Sequence, residues 1–238
     1  MTGVVLHADC VGKRFGERAV LTSASIWLRS GRVLALVGRN GAGKSTLLKI
    51  CAGIMSADHG QLRFRGEWVE RPRYHRLAKR GLAYLPSERN LYSSSFPLGQ
   101  QFDVVARKQG SRRVAEVVET LELGDCLEQP LHTLSGGEQR RASVAVTWLL
   151  KPDCLLADEP LRGVDPKDQE RIMRAYRTMA EEGCAIVVTG HQAEYLLHEA
   201  DEVVWVTAGT THHLGNPTAA REHWQFRREF LGIHGSVA

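Results

Sequence analysis

The sequence lacks the features that mark membrane-spanning, secreted and nucleic-acid-binding chains. No apolar run approaches the ~18 residues of a membrane span, so work at a membrane would require a partner that crosses it. The first fifteen residues show no signal-peptide pattern. The formal net charge is only +4, which a solvated surface explains as well as an anionic partner does, and nucleic acid is therefore not expected.

Cysteine is scarce, and its spacing shows no metal-binding or disulfide pattern. The five cysteines are odd in number, widely spaced and form no CxxC pair. Cys51, Cys154 and Cys184 stand among apolar neighbours, where a free cysteine behaves as a small hydrophobe. This usage is typical of a reducing cytoplasm. Internal repeats, low-complexity tracts and long linkers are also missing, which favours one compact unit over the 238 residues.

Short apolar strands alternate with helical patterns in the first and last thirds of the chain. Such alternation indicates a parallel sheet with crossover helices. Residues 60–70 predict a hairpin, because apolar and polar residues alternate around a glycine. The middle, about 97–150, is helical in pattern, and Val114, Val117 and Leu121 share one helix face there. The sequence therefore predicts an α/β unit with an inserted helical arm.

A glycine-rich segment, GRNGAGKST, follows an apolar strand and precedes a helical pattern. It matches G-x-x-x-x-G-K-[ST], whose glycines let several backbone N–H groups converge on phosphate oxygens. A chance glycine-rich turn is the alternative, and the strand and helix flanks disfavour it. We expect Lys44 to reach the β- and γ-phosphates and Ser45 to bind Mg²⁺. The predicted phosphate-binding residues are Gly38, Asn40, Gly41, Gly43, Lys44, Ser45 and Thr46.

A second candidate segment, CLLADEP, ends an apolar strand in two acidic residues. Ligands bind at the carboxyl ends of strands in open α/β sheets, so Asp158 is placed to hold Mg²⁺. Glu159 is the candidate to orient and deprotonate an attacking water. A solvated acidic turn would explain the pair alone, but its company with a phosphate loop favours catalysis.

The octapeptide LSGGEQRR, residues 134–141, resembles the signature of ATP-binding cassette (ABC) proteins. GRNGAGKST resembles that family's Walker A motif and CLLADEP its Walker B motif. GVDP, residues 163–166, resembles the D-loop, and TGH, ending at His191, resembles the switch histidine. KRFG, with Phe15, resembles the aromatic loop that stacks on adenine. The motifs occur in family order, and the resemblance covers essentially the whole chain.

The resemblance implies the architecture of the chain. It implies an α/β fold: a P-loop NTPase core with a mostly parallel sheet, an N-terminal antiparallel β subdomain and an inserted α-helical subdomain. All of it would form a single ABC ATPase domain, 1–238. The core and β subdomain would comprise about 1–87 and 152–238, and the helical subdomain with the signature about 88–151.

The resemblance also implies a paired molecule. Ser135, Gly136 and Gly137 begin a helix, and the N–H groups at that start can bind an anion. One phosphate cradle already exists, so a second one makes sense if it closes over the nucleotide of another cassette. Family members pair head to tail and sandwich two ATP molecules, which here implies a homodimer. Asp165 would then tune the site of the facing subunit.

Two further roles follow from the resemblance alone. His191 would contact the γ-phosphate and help hold Glu159 and the water, completing a catalytic set with Lys44. Phe15 would stack on adenine, although a single aromatic residue can equally belong to a core.

Three positions depart from the family pattern. Arg162, in DEPLRGVDP, could pair with a partner or with phosphate, although a solvated arginine fits as well. Glu138 stands where glutamine is common in the signature. Ser87 stands where a glutamine would reach the metal and the attacking water; its shorter side chain can still contact metal-bound water, and Glu88 could swing in instead.

The resemblance finally implies a function. The chain would be the ATP-hydrolysing subunit of a transporter, peripheral on the cytoplasmic face of the membrane and working through a separate permease. A soluble, non-transport cassette of the cofactor-assembly type is the alternative. The aromatic stretch 90–102 would either dock the permease or pack into the helical arm. The tail HWQFRREFLG resembles branched-chain amino-acid importer and lipopolysaccharide exporter cassettes.

Overall fold

The computed structural model describes residues 3–87, 96–107, 111–190 and 193–232. Within these residues the strands form one ten-stranded sheet. The strands are β1 (Val4–Phe15), β2 (Arg18–Arg29), β3 (Val33–Val37), β4 (His59–Phe64), β5 (Glu67–Trp68), β6 (Leu82–Leu85), β7 (Cys154–Ala157), β8 (Ala185–Gly190), β9 (Glu202–Thr207) and β10 (Thr210–Gly215). The helices are α1 (Lys44–Cys51), α2 (Tyr74–Ala78), α3 (Leu98–Ala106), α4 (Ser111–Thr120), α5 (Gly136–Leu149), α6 (Pro166–Glu181), α7 (Ala193–Glu199), α8 (Pro217–Glu222) and α9 (Trp224–Phe226).

The central block of the sheet is parallel, in the order β9-β3-β8-β7-β6. Every residue of β3 and β7 is buried, the pattern of strands that are covered on both faces. Val37 pairs with Gly190, and Leu85 pairs with Ala157, so the strands end at a common edge. The loops that follow β3, β6 and β7 and the last residues of β8 therefore meet there, where open α/β sheets bind ligands.

The N-terminal part of the sheet is antiparallel, in the order β5-β4-β1-β2. β1 continues beyond Cys10, where the apolar run that predicted the strand ends. Cys10 has a positive φ of 50°, and the register shifts between Ala8 and Val11, which is the behaviour of a bulged strand. The β1–β2 hairpin consequently extends until Phe15 pairs with Arg18. Its tip comes close to the functional edge of the parallel block.

Side chains of the parallel strands alternate between two hydrophobic clusters. Val33, Ala35 and Val37 of β3 belong to the cluster under the helical arm, whereas Leu34 and Leu36 belong to the cluster around α1. This alternation follows from the two-residue period of a strand. The sheet therefore has helices or strands against both faces. The loops that follow the parallel strands lie at the carboxyl ends of those strands.

The helical arm comprises α3, α4 and α5. Val117 and Leu121 of the predicted apolar face are fully buried, and Val114 packs against the same cluster. The arm is anchored by Trp148, which is 1% exposed. The predicted α/β class with an antiparallel β part and inserted helices is confirmed. β10, α8 and α9 were not predicted, because the residues after 207 carry no clear periodicity.

Across the described parts of the chain, none of the helices has the length and apolar character of a membrane span.

Candidate nucleotide-binding site

The glycine-rich loop lies between β3 and α1, and its glycines are required by space as well as by conformation. A Cβ at Gly38 would lie 2.5 Å from the Val206 carbonyl oxygen, and one at Gly43 would lie 2.7 Å from Leu21 Cδ2. Gly43 also has φ 104° and is the N-cap of α1 without any side-chain cap. The first N–H groups of α1 are therefore left for an external acceptor, which is how helix starts bind phosphate.

Lys44 lies inside this loop and is 4% exposed. Its Nζ donates to the carbonyl oxygens of Gly38 at 2.8 Å and Arg39 at 3.2 Å. Burial lowers the pKa of the Lys44 ammonium, and the nearby Glu159 and Asp158 carboxylates oppose that shift. A buried cation that donates to two carbonyl groups is well placed to bind an anion that enters the loop.

Asp158 follows β7 and is 1% exposed. Its Oδ1 accepts hydrogen bonds from Ser45 Oγ and Thr189 Oγ1, both at 2.9 Å, and its Oδ2 accepts from Tyr84 Oη at 3.3 Å. The structure therefore brings together Ser45 and Asp158, two of the three residues predicted for the metal site; the third is Ser87. Three hydroxyl donors satisfy the buried carboxylate, as burial of a charge requires.

Glu159 is held in an uncommon backbone conformation. Its φ is 46°, and its N–H donates to Thr189 Oγ1 at 2.8 Å. Its carboxylate pairs with Arg162 across 3.5 Å; the Glu159 side chain is 15% exposed and that of Arg162 is 69% exposed. Arg162 is thus largely solvated, as one expectation had it, and it also faces the candidate catalytic carboxylate.

A cavity of about 700 Å³ opens between the loop, Glu159 and the hairpin tip. Its size lies in the range of small-molecule and cofactor sites. Its lining is strongly polar and carries three cationic side chains, which suits a polyphosphate. The lining residues are Arg18, Val20, Asn40, Gly41, Gly43, Lys44, Ser45, Thr46, Glu159 and Arg162.

Phe15 is 48% exposed at the hairpin tip, so its ring does not belong to the core. It pairs in the hairpin with Arg18, which lines the cavity. Lys13 Nζ lies 5.9 Å from the centroid of the ring. The ring is accessible at the hairpin tip but is not among the described residues that line the cavity, and its stacking on adenine stays a prediction.

The signature residues lie at the start of α5. Unlike the start of α1, this helix start is capped by a side chain. Ser135 is the N-cap: its Oγ accepts from the Glu138 N–H at 3.4 Å, and its own N–H donates to Glu138 Oε2 at 2.8 Å. These bonds hold the pKa of Glu138 below its usual range. Ser135, Gly136 and Gly137 are not among the described residues that line the cavity.

Asp165 caps α6 beside the signature. Its Oδ1 accepts from the Asp168 N–H at 3.1 Å, and this bond lowers the pKa of Asp165. A Cβ at Gly137 would lie 2.5 Å from Asp168 Oδ2, and Asp168 is fixed by Arg141 at 2.9 Å. The signature glycine and the D-loop helix are therefore in direct contact within one chain.

Ser87 lies at the functional edge, two residues after β6. Its carbonyl oxygen and that of Pro86 accept from the two terminal nitrogens of Arg140, each at 2.8 Å. Arg140 belongs to α5, so the signature helix holds the loop of Ser87 by its backbone. The predicted metal role of the Ser87 side chain stays a prediction. His191 and Glu88 lie outside the described residues.

Sequence reasoning missed several residues of this site. Tyr84 and Thr189 bond Asp158, Arg18 lines the cavity, and Arg140 holds the loop after β6. The one available signal was a lone hydroxyl, Thr189, near the end of an otherwise apolar strand.

Comparisons with known proteins agree with this geometry. The family model described as ABC transporter matches residues 21–162. The zinc import ATP-binding protein ZnuC of Halorhodospira halophila is 30% identical, covering 94% of this chain and 82% of that protein. The lipopolysaccharide export system ATP-binding protein LptB of Escherichia coli is 28% identical, covering 95% and 97%.

The fold is also that of solved cassettes. The ADP conformation of MJ1267, an ATP-binding cassette of an ABC transporter, superimposes with a TM-score of 0.82 at 19% identity, covering 98% of this chain and 100% of that one. The described site, with its glycine-rich loop, buried aspartate and adjoining glutamate, lies at the carboxyl ends of the parallel strands, where open α/β sheets bind ligands. The chain therefore belongs to the ABC transporter family and is an ATP-binding subunit that hydrolyses ATP.

Proposed function

We propose that this subunit works as one of two paired cassettes and powers transport through a separate membrane permease. One observation carries the proposal: Lys44, the Ser45–Asp158 pair and Glu159 meet at one edge of the sheet, with Lys44, Ser45 and Glu159 lining a single cavity. These are the groups that ATP hydrolysis needs, and they come from one chain. Ser135, Gly136 and Gly137 are not among the described residues that line this cavity, which supports a role for them at the nucleotide of a second chain.

Phosphate binding falls to the loop and to Lys44. The uncapped first turn of α1 supplies N–H donors and the positive end of the helix dipole. Lys44 Nζ exchanges its two carbonyl contacts for β- and γ-phosphate oxygens, so the cost of burying the ammonium is offset by the anion. Asn40 and Gly41 line the same wall.

The residues present fit Mg²⁺. Ser45 donates its proton to Asp158, which leaves the lone pairs of its hydroxyl oxygen for a metal. No group of three His, Cys, Asp or Glu able to hold a metal occurs among the described residues, and Mg²⁺ bound to nucleotide needs none. When bound, Mg²⁺ neutralises charge that develops on the phosphates.

Glu159 acts as the general base. Its carboxylate accepts a proton from water as the water oxygen bonds to the γ-phosphorus and the bond to the β–γ bridging oxygen breaks. The ion pair with Arg162 holds the carboxylate at the cavity wall. His191 is proposed to contact the γ-phosphate and to help hold Glu159 and the water in place.

The partner cassette presents its own Ser135, Gly136 and Gly137 to the nucleotide. An isologous pair would use the same surface from both chains and close over two ATP molecules. Asp165 lies beside the signature and would tune the facing site. Adenine stacking on Phe15 completes the pocket from within the chain.

The permease contact and the membrane location follow from what the relatives are named for, which is export of lipopolysaccharide and import of zinc. Phe96, 66% exposed at the start of the arm, lies in the stretch expected to dock the permease. The domain division of 1–87 and 152–238 against 88–151 would let that contact move the arm against the core.

Co-purification from detergent-solubilised membranes tests this proposal. A tagged chain should recover an integral membrane protein in the presence of ATP, and a chain with Phe96→Glu should recover less. Recovery of soluble partners alone would contradict transport and favour the cofactor-assembly alternative. Steady-state phosphate release, with Mg²⁺ and with a chelator, tests the metal requirement in the same preparation.

A further inference from the structure

Thr189 is a polar residue in an apolar, fully covered strand. It lies in β8 between β3 and β7, pairs with Leu36, and is 1% exposed. The residues before it in β8 are alanine, isoleucine and two valines. A buried hydroxyl is costly unless it is hydrogen-bonded, so its bonding partners decide what it does there.

The hydroxyl makes two hydrogen bonds, and both go to the candidate catalytic pair. Thr189 Oγ1 donates to Asp158 Oδ1 at 2.9 Å and accepts from the Glu159 N–H at 2.8 Å. Because the proton points to the carboxylate, a lone pair is left for the amide. One side chain on β8 thus fixes two consecutive residues that follow β7.

The second bond acts where the backbone is least comfortable. Glu159 has φ 46°, a left-handed conformation that is unfavourable for a non-glycine residue. Such conformations persist only where the surroundings hold them. The bond to Thr189 fixes the peptide plane between Asp158 and Glu159, and that plane sets the direction in which the Glu159 side chain leaves the chain.

We propose that Thr189 is a positioning residue for hydrolysis: it acts through Asp158 and Glu159 without touching the nucleotide. This rests on the proposed roles of those two residues. Thr189→Val keeps the shape and the strand preference but removes the hydroxyl. Asp158 then loses one donor and the Glu159 N–H loses its partner, so the carboxylate is less well aimed at the water.

The expected result is a loss of turnover without a loss of binding. Thr189→Val should lower kcat about 10- to 100-fold, as changes to supporting partners of a reactive group do. The KM for ATP and the affinity for a fluorescent ATP analogue should stay near those of the parent protein. Thr189→Ser, which restores the hydroxyl, should recover most of kcat.

Thr147→Val is the matched control. Thr147 is also buried, 5% exposed, but its Oγ1 donates to the Ser143 carbonyl oxygen within α5. Its replacement should leave kcat unchanged, so any general effect of losing a buried hydroxyl is removed from the comparison. Thr189→Ala, equally without a hydroxyl, serves if the valine variant does not fold.

Three outcomes separate the possibilities. Loss of kcat in the valine or alanine variant, with binding retained and serine active, supports the positioning role. A folded valine variant with parental kcat overturns it. Equal loss of ATP binding and kcat also overturns it, because Thr189 would then support the pocket as a whole. Failure of the proposed transport function would appear separately, as absence of a membrane partner for the parent protein.

Discussion

The N-termini of α1 and α5 both carry glycines and hydroxyl residues, but only that of α5 is capped by a side chain. α1 begins at Gly43 with no side-chain cap, beside the buried Lys44. α5 begins at Ser135 with a complete capping box made by Glu138. The first start leaves donors for a ligand inside the same chain, whereas the second already bonds its own carboxylate. Under the proposed pairing, the α1 half of each nucleotide site lies within one chain, and the α5 start supplies the other half to a partner chain.

Removing the carboxylate of Glu159, the proposed general base, should reduce turnover without reducing ATP binding. Glu159→Gln keeps the size of the side chain and its contact with Arg162 but cannot accept the proton from water. We expect kcat to fall about 10²–10⁴-fold, the usual contribution of a general base. We also expect the unhydrolysed ATP to trap a dimer. Phosphate release measures the rate, and light scattering or size-exclusion chromatography with ATP measures the dimer.

ATP binding by this variant is the internal control, because α1 is untouched. Undiminished steady-state hydrolysis would remove Glu159 as the base. A variant that binds ATP but stays monomeric would contradict the proposal that the α5 start binds the nucleotide of a partner chain.

Crowding the α5 start should impair turnover while leaving the α1 start intact. A Cβ at Gly137 would lie 2.5 Å from Asp168 Oδ2, and Arg141 prevents that carboxylate from moving freely. Gly137→Ala should therefore destabilise the fold by about 1–3 kcal/mol through overpacking. We expect ATPase activity to fall about tenfold, equivalent to 1.4 kcal/mol of barrier.

Gly124→Ala is the control for that variant, since nothing lies within 4 Å of a Cβ built at Gly124. It should change neither stability nor rate by a measurable amount. If the Gly137→Ala monomer also binds ATP more weakly than the parent monomer, the signature contributes to the site of its own chain. The proposed difference between the two helix starts would then be wrong.

Both helix starts were predicted, because each motif is a short run of consecutive residues; the capping box that Glu138 makes at α5 was not predicted. A phosphate loop is local: strand, glycines, lysine and helix are consecutive, so Gly38 to Thr46 could be identified from nine residues. The parallel sheet was likewise predictable from apolar runs, since strands covered on both faces leave a continuous signal.

The supporting contacts were not predictable, because they join residues distant in sequence. Tyr84 reaches Asp158 across 74 positions and Arg140 reaches Pro86 across 54. Strand order and helix packing decide these contacts, and a single sequence carries neither. The bulge at Cys10, which extends the hairpin to the cavity, depends in the same way on pairing with β2.

The loop of Ser87 is held by the signature helix α5. A substitution there should have an effect on ATPase activity of intermediate size. Arg140 of α5 holds its backbone, so a longer side chain at position 87 would be presented without moving the loop. Ser87→Gln should raise or retune ATPase activity roughly two- to fivefold, under about 1 kcal/mol of barrier, with ATP affinity unchanged. A Ser87→Gln rate equal to that of the parent protein, both with and without the membrane partner, would show that Ser87 is a bystander.

The smallest expected effect concerns the charge that completes the α5 start. Glutamine also serves at the third position of a capping box, so Glu138→Gln should keep the helix start and change ATPase activity by less than about twofold. The effect should appear in stability against pH. The pKa of Glu138 is lowered in the folded chain, so its stabilising contribution is present above the unfolded pKa of about 4.3 and is lost as pH falls through the folded pKa.

The parent protein should therefore have a slightly higher Tm than Glu138→Gln at pH 7, and the two melting curves should converge as pH is lowered below about 4. Differential scanning fluorimetry over this range measures the difference. A constant gap between the curves would mean that the cap depends on shape and not on charge. The contrast between the two helix starts would then rest on the hydrogen bonds of the cap at α5 and their absence at α1, and not on the charge of Glu138.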